Sequence, residues 1–143
     1  MSIWKSTMTF ESVTGIREET MTEHLGIEFT EIGDDYLRGK MPVDHRTIQP
    51  FGIMHGGASC VLAETLGSVA ACHCVDIKKQ VCVGLSLNIN HIRMAREGWV
   101  YGTARPIHIG GKTQVWDIAI EDEEGKLVSS TRLTLAVLER KKD

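Results

Sequence analysis

Residues 50–71 read Pro50-Phe51-Gly52-Ile53-Met54-His55-Gly56-Gly57-Ala58-Ser59-Cys60-Val61-Leu62-Ala63-Glu64-Thr65-Leu66-Gly67-Ser68-Val69-Ala70-Ala71, and the fold turns on this stretch. Its first half is turn-rich, with Pro50, Gly52 and the Gly56-Gly57 pair breaking any regular period. Its second half is a run of small apolar residues that spaces for a helix starting near Gly56 or Gly57 and ending by about His73. From Ile53 to Cys74 the only charge besides what His55 and His73 carry is Glu64. This helix therefore has no ordinary solvated face. A carboxylate on it is expected at an interface or in a cleft, where loss of water raises its pKa and suits it to base or nucleophile work. With a start at Gly57, positions 58, 61/62, 65/66 and 69 share one side, while Cys60, Glu64, Ser68 and Ala71 line up on another.

On the N-terminal side, Thr9 can cap a short helix that puts Phe10, Val13 and Ile16 on one face. Residues 26–32 and 36–43 read as a hairpin around Gly33-Asp34-Asp35, with Leu37, Met41 and Val43 on one face. Past the long helix the period changes to two. Val81, Val83, Leu85, Leu87 and Ile89 alternate with Cys82, Gly84, Ser86, Asn88 and Asn90, so the apolar set is expected to face the helix. Strands over 99–109, 112–122 and 127–138 follow, separated by turns at Glu97-Gly98, Gly110-Gly111 and Glu123-Glu124-Gly125. The pattern predicts an α+β fold: one long helix on the concave side of a curved antiparallel sheet of about six strands, the last four as a meander, with all 143 residues in one domain. The long final strand is expected to offer an open edge to a second copy.

Composition excludes several classes. With 16 basic and 19 acidic residues the net charge is −3, which supports binding neither to nucleic acid nor to an anionic membrane. No apolar run approaches the roughly 20 residues of a membrane span. The four cysteines form no CxxC pair and follow no secretory signal, so reduced thiols in a cytoplasmic protein are expected. Cys72-His73-Cys74 lacks the spacing of a zinc site, and no metal is expected.

His55-Gly56-Gly57 has two readings. Glycines suit a tight helix entry and His55 can cap it; equally, side-chain-free N–H groups at a helix start can polarise a carbonyl oxygen, with Gln49 and His55 as further donors. Eight residues separate Gly56 from Glu64, about 12 Å along a helix, whereas a reacting carbonyl lies roughly 3 Å from both its donors and its attacker. A catalytic reading therefore calls for a two-fold dimer, in which Glu64 of one copy serves Gly56 of the other. Arg93, Arg96, Arg105 and Lys112 gather cations near the later turns, and Gly110-Gly111 is a candidate phosphate nest. Gly111-Lys112-Thr113 is no P-loop, because Pro106 stands where the first glycine belongs.

The segments SIWK (2–5), PVDHRTIQPFGIMHGGASCVLAETLGSVA (42–70), VGLSLNINHIR (83–93), PIHIGGKTQVWDI (106–118) and SSTRLTLAV (129–137) resemble the hotdog-fold thioesterases of the phenylacetate-degradation type. Within these, the match is to the branch acting in menaquinone synthesis on 1,4-dihydroxy-2-naphthoyl-CoA and in enterobactin proofreading. The resemblance implies a homodimer that forms the active site, assembled as a homotetramer, hydrolysing aromatic acyl-CoA thioesters with no cofactor beyond the CoA of the substrate. It implies Glu64 as nucleophile or general base, Gln49, His55 and Gly56 at the thioester carbonyl, and Ser68 orienting water. It places Gly57, Gly84, His91, Ile92, Arg93, Met94, His108, Ile109, Gly110, Gly111, Lys112 and Thr113 on the substrate. An acyl-carrier protein is a further possible partner. Two rival readings share the fold: an acyl-thioester hydratase or dehydratase, and a non-catalytic acyl-CoA-binding protein. Glu64 argues against the second, and the Gln49/His55-Gly56 setting against the first.

Overall fold

The structure, a computed structural model, describes residues 1–15 and 18–142. A short helix α1 (Phe10–Gly15) is capped by Thr9, whose Oγ1 accepts from Ser12 N–H at 3.1 Å while Ser12 Oγ accepts from Thr9 N–H at 3.0 Å. Val13 is fully buried, but Phe10 is exposed, so the expected face is only partly formed, and Ile16 lies outside the described residues. A one-turn helix α2 (Met21–His24), not anticipated from the pattern, leads into the hairpin β1 (Glu28–Ile32) and β2 (Leu37–Pro42). The long helix α3 (Gly56–His73) follows, with the bounds its composition predicts. Four long strands complete the chain: β3 (Gln80–His91), β4 (Trp99–Ile109), β5 (Thr113–Glu121) and β6 (Leu127–Glu139).

All six strands join one antiparallel sheet in the order β1-β2-β4-β5-β6-β3. This corrects two expectations. The last four strands are not a meander, because β3 pairs with β6 and lies at the far edge. The final strand is accordingly interior, and the open edges belong to β1 and β3. The physical reason is the helix: α3 carries the chain across the concave face between β2 and β3, and β4, β5 and β6 then fill the gap.

The face of β3 is also corrected. Its pairing steps from Gly84↔Leu135 to Ser86↔Thr134, leaving Leu85 as a bulge. Before the bulge Cys82 and Gly84 point at α3; after it Leu87 packs on the core. Val83 and Leu85, counted among the inward set by alternation, are 41% and 62% exposed.

On α3 the buried side is Ala58, Ser59, Leu62, Ala63, Leu66, Gly67, Ala70 and Ala71. Val61, Thr65 and Val69 lie instead on the outward side with Glu64 and Ser68, and Ala71 moves to the core. Leu66 seats in a notch where two glycines face each other across β2 and β4: Gly39 pairs with Gly102, and Cβ atoms there would lie 2.9 and 2.6 Å from its methyl carbons. Close approach of helix to sheet thus depends on missing side chains. Beneath it Trp116, Ile118 and Ile120 of β5 are buried as their alternation predicts, with Leu37 and Met41 of β2 and Leu133 and Leu135 of β6. Each such side chain contributes roughly 1.5–3 kcal/mol by leaving water. No helix among the described residues is long and apolar enough to cross a membrane.

Candidate active site

At the start of α3, His55 is the N-cap, with an extended backbone at φ −67° and ψ 132°. Its Nδ1 accepts the Gly57 N–H at 2.8 Å, which places the ring proton of the neutral imidazole on Nε2. Ala58 and Ser59 N–H both turn to the His55 carbonyl, at 2.9 and 3.4 Å. Of the four donors a helix start leaves over, only the Gly56 N–H has no acceptor among the described residues. The capping reading of His55-Gly56-Gly57 is therefore realised, and the structure leaves the Gly56 N–H without an acceptor among the described residues. His55 caps the helix, Gly57 is used by the cap, and Gly56 points a free N–H out of the positive helix end.

Gln49 sits in the loop before the helix, half-buried. The loop is closed by Gln49 N–H to Ile53 O at 2.8 Å, Gly52 N–H to Gln49 O at 2.9 Å and the bridge between Ile48 and Met54. Gln49 Oε1 accepts from Phe51 N–H. The amide is thereby oriented, and its Nε2 hydrogens are left for another acceptor. The segment after β3 returns beneath the sheet, tied by Ile92 and Arg93 N–H to Val128 O at 2.8 and 3.1 Å and by Met54 N–H to Ala95 O at 2.8 Å. That path brings His91, Ile92, Arg93 and Met94 beside Gln49 and Gly56, around one cavity of about 360 Å³. The His91 ring occupies the space a side chain at Gly56 would need, 2.9 Å from the position of its Cβ.

Glu64 and Ser68 open on a different cavity, of about 400 Å³, walled by Met21, Phe29, Val61 and Val69 with Thr20, Thr22 and Thr65 between them. The α2 residues of this wall carry no spacing signal, and sequence reasoning missed them. Glu64 is exposed in this chain, so the expected withdrawal of the carboxylate from water is absent within a single chain. Behind it stands Gly84, where a Cβ would collide with Glu64 Oε1. The role of Gly84 is to leave room for the acid.

A loop offering donors at a helix start, and an acid on the same helix, sit in a sheet-wrapped fold. Comparison with known proteins decides the family: the profile of the thioesterase superfamily matches residues 51–129. The chain is 52% identical over 136 residues to 1,4-dihydroxy-2-naphthoyl-CoA hydrolase of Escherichia coli (strain K12), covering 95% of this chain and 99% of that one. The chain belongs to the thioesterase superfamily. The proofreading thioesterase EntH of Cronobacter turicensis is 46% identical to this thioesterase, over 95% of the chain and 98% of the relative. The crystal structure of a glutamine-to-alanine mutant of thioesterase PA1618 from Pseudomonas aeruginosa superposes with a TM-score of 0.95 at 45% identity, covering 97% of this chain and 100% of that one. The thioesterase has the hotdog fold, and it is a thioester hydrolase.

The remaining predicted residues of the thioesterase lie elsewhere. His108, Ile109, Gly110, Gly111, Lys112 and Thr113 form the end of β4 and the β4–β5 turn, closed by Gly110 N–H to Thr113 O at 2.9 Å, with the His108 ring folded over Gly110. Thr113 pairs with Ala136 of β6, whereas His91 pairs with Ser129. Seven residues of strand separate them, about 23 Å. Within one chain the two segments do not meet. Nor does Arg105 join the expected group of cations, since it lies 3.4 Å from Asp35 and 4.5 Å over the Tyr36 ring. Arg93 stays beside Gln49 and Gly56.

Proposed function

We propose that this thioesterase hydrolyses aromatic, hydroxylated acyl-CoA thioesters, with 1,4-dihydroxy-2-naphthoyl-CoA of menaquinone synthesis as its substrate, in the cytoplasm and at sites that two chains build together. One observation carries the composite site. The Gly56 N–H and the Glu64 carboxylate face separate cavities of one chain, eight residues and about 12 Å apart on α3. An antiparallel α3 from a second copy brings the acid of one to the donor of the other, giving two equivalent sites. The open edge of β3, with Val83 and Leu85 exposed beside it, supports that pairing. Two such dimers make the tetramer.

In this site the thioester oxygen accepts from the Gly56 N–H and Gln49 Nε2–H. These donors hold the negative charge that develops as the carbonyl carbon becomes tetrahedral. The Glu64 carboxylate either attacks that carbon, giving an anhydride that water opens, or takes a proton from the water that attacks it. In both routes the C–S bond breaks, CoA leaves as a thiolate and takes up a proton, and the free acid remains. The Phe29, Met21, Val61 and Val69 wall suits an aromatic ring, with the hydroxyls of Thr65 and Ser68 beside it for polar substituents. The named hydrolase at 52% identity supports the choice of acyl group.

Mixing inactive Glu64→Ala and Gln49→Ala chains tests the shared site. Heterodimers hold one intact site, so equal mixing restores about a quarter of wild-type activity; no recovery in demonstrated heterodimers overturns it. A single turnover in oxygen-18 water that labels Glu64 identifies direct attack. The substrate is tested by kcat/KM over hydroxyaryl, aryl and aliphatic acyl-CoA and carrier-protein thioesters, and a preference for aliphatic chains rejects it.

A further inference from the structure

The end of α3 and the start of β3 bring two thiols together, about two helical turns from Glu64. Cys72 Sγ lies 3.7 Å from the Cys82 carbonyl oxygen and Cys82 Sγ lies 3.5 Å from the Ala71 carbonyl oxygen, so each thiol reaches the backbone at or next to the other cysteine. Cys82 is held from behind by Gln114 Nε2 at 3.7 Å; Gln114 is fully buried, bonds Ala71 O at 3.3 Å and accepts from Trp116 Nε1 at 2.8 Å. Neither sulfur is used by the hydrolytic chemistry. All four cysteines are free. We propose that Cys72 and Cys82 form a reversible redox modification site, closing to an intramolecular disulfide that joins the C-terminal turn of α3 to the edge strand β3.

Only Cys72 is suited to begin the reaction. The hydrogen bond from Cys82, aided by the charge of Arg140, holds its thiol below the usual range, and the same contact pushes Cys82 up. Burial raises Cys74 to about 12 and raises Cys60, so these stay protonated and inert. With hydrogen peroxide as oxidant, the Cys72 thiolate attacks one peroxide oxygen, giving the sulfenic acid and hydroxide. Cys82 then attacks the Cys72 sulfur, the S–S bond forms, and water leaves with the Cys82 proton. Peroxide gains the two electrons that the thiols lose. A thiol such as glutathione reverses the step by exchange. With each thiol already reaching the backbone at or next to the other cysteine, side-chain rotation is the movement that brings the sulfurs to disulfide geometry.

The test treats the full-length wild-type protein with one equivalent of peroxide, then counts thiols under denaturing conditions and maps peptides before and after glutathione. The expected result is a fall from four titratable thiols to two, a Cys72–Cys82 linked peptide, and full return with glutathione. Cys72→Ser retains its three thiols, Cys82→Ser stops at a Cys72 sulfenic acid with no linked peptide, and Cys60→Ser still forms the link. Four thiols persisting in the oxidised wild type, or a link that runs through Cys60 or Cys74 or between chains, overturns the proposal.

Discussion

Gly84 on β3 stands directly against Glu64 on α3, and a Cβ at position 84 would occupy the place of Glu64 Oε1. The colliding atom is the end of a flexible side chain, so the fold can absorb the change by turning the carboxylate away. Gly84→Ala is expected to leave the melting temperature within a few degrees of wild type. It should lower kcat by at least about tenfold, since a misplaced catalytic group loses its alignment with the reacting carbon. Wild-type turnover in this variant would remove Glu64 from the chemistry.

His55 holds the first turn of α3 through Nδ1 and the Gly57 N–H. His55→Ala removes that cap and is expected to cost about 1 kcal/mol of stability, within the usual range for a lost N-cap. His55→Asn, which keeps an acceptor of similar reach, should recover most of it. Denaturant titration compares the three chains, and equal midpoints for all three would show that the contact is not a cap.

The loop that carries Gln49 is anchored by Asp44. Its carboxylate accepts from Arg46 Nη2 at 2.7 Å and from the Arg46 backbone N–H at 3.0 Å, and the Arg46 hydrogen bond holds its pKa down at about 2. A depressed carboxylate stabilises the fold above its unfolded pKa of about 3.9 and loses that contribution as pH falls towards the folded value. Stability measured between pH 5 and pH 2 should therefore decline less steeply in Asp44→Asn than in wild type, the two curves differing most at the upper end. Parallel curves across this window would contradict the assignment.

Gly67 lets α3 lie on β6. A Cβ there would meet Leu133 Cδ2 at 2.6 Å and Ile118 Cδ1 at 3.3 Å, both on buried residues. Gly67→Ala is expected to destabilise by about 1–3 kcal/mol through overpacking, despite the better helix propensity of alanine. A rise in melting temperature would mean that the core yields at this point.

Thr131 on β6 is 2% exposed, and its Oγ1 has no hydrogen-bond partner among the described residues. Replacing a desolvated, unpaired hydroxyl with a methyl group removes a cost rather than a contact. Thr131→Val should be neutral or stabilising by up to about 1 kcal/mol, and a clear loss in calorimetry would show that the hydroxyl is bonded.

Much of the molecule is local and was legible. The limits of α3 follow from Gly56-Gly57 at one end and the apolar run to His73, because a helix is closed by bonds four residues apart. Trp116, Ile118 and Ile120 face inward because a regular strand repeats every two residues. Glu64 stands out because nothing around it explains a charge. The eight-residue gap from Gly56 to Glu64 needs only the helical rise, and the family follows from the motif Gln49 to Gly57 with Ala63-Glu64.

What residue order left undecided depends on partners far along the chain. Whether β3 pairs with β4 or β6 is set by where α3 delivers it, and no period within β3 records that. The bulge at Leu85 adds one residue to one strand without any change of composition, yet it turns Cys82 and Gly84 towards α3 and exposes Val83 and Leu85. The return path of residues 92–98 alone places His91 over Gly56, and α2 alone walls the cavity beside Glu64. Sequence determined the helix, the acid and the donor loop; tertiary packing decided that one chain holds them in two separate cavities, because their distance is spent along a rigid rod.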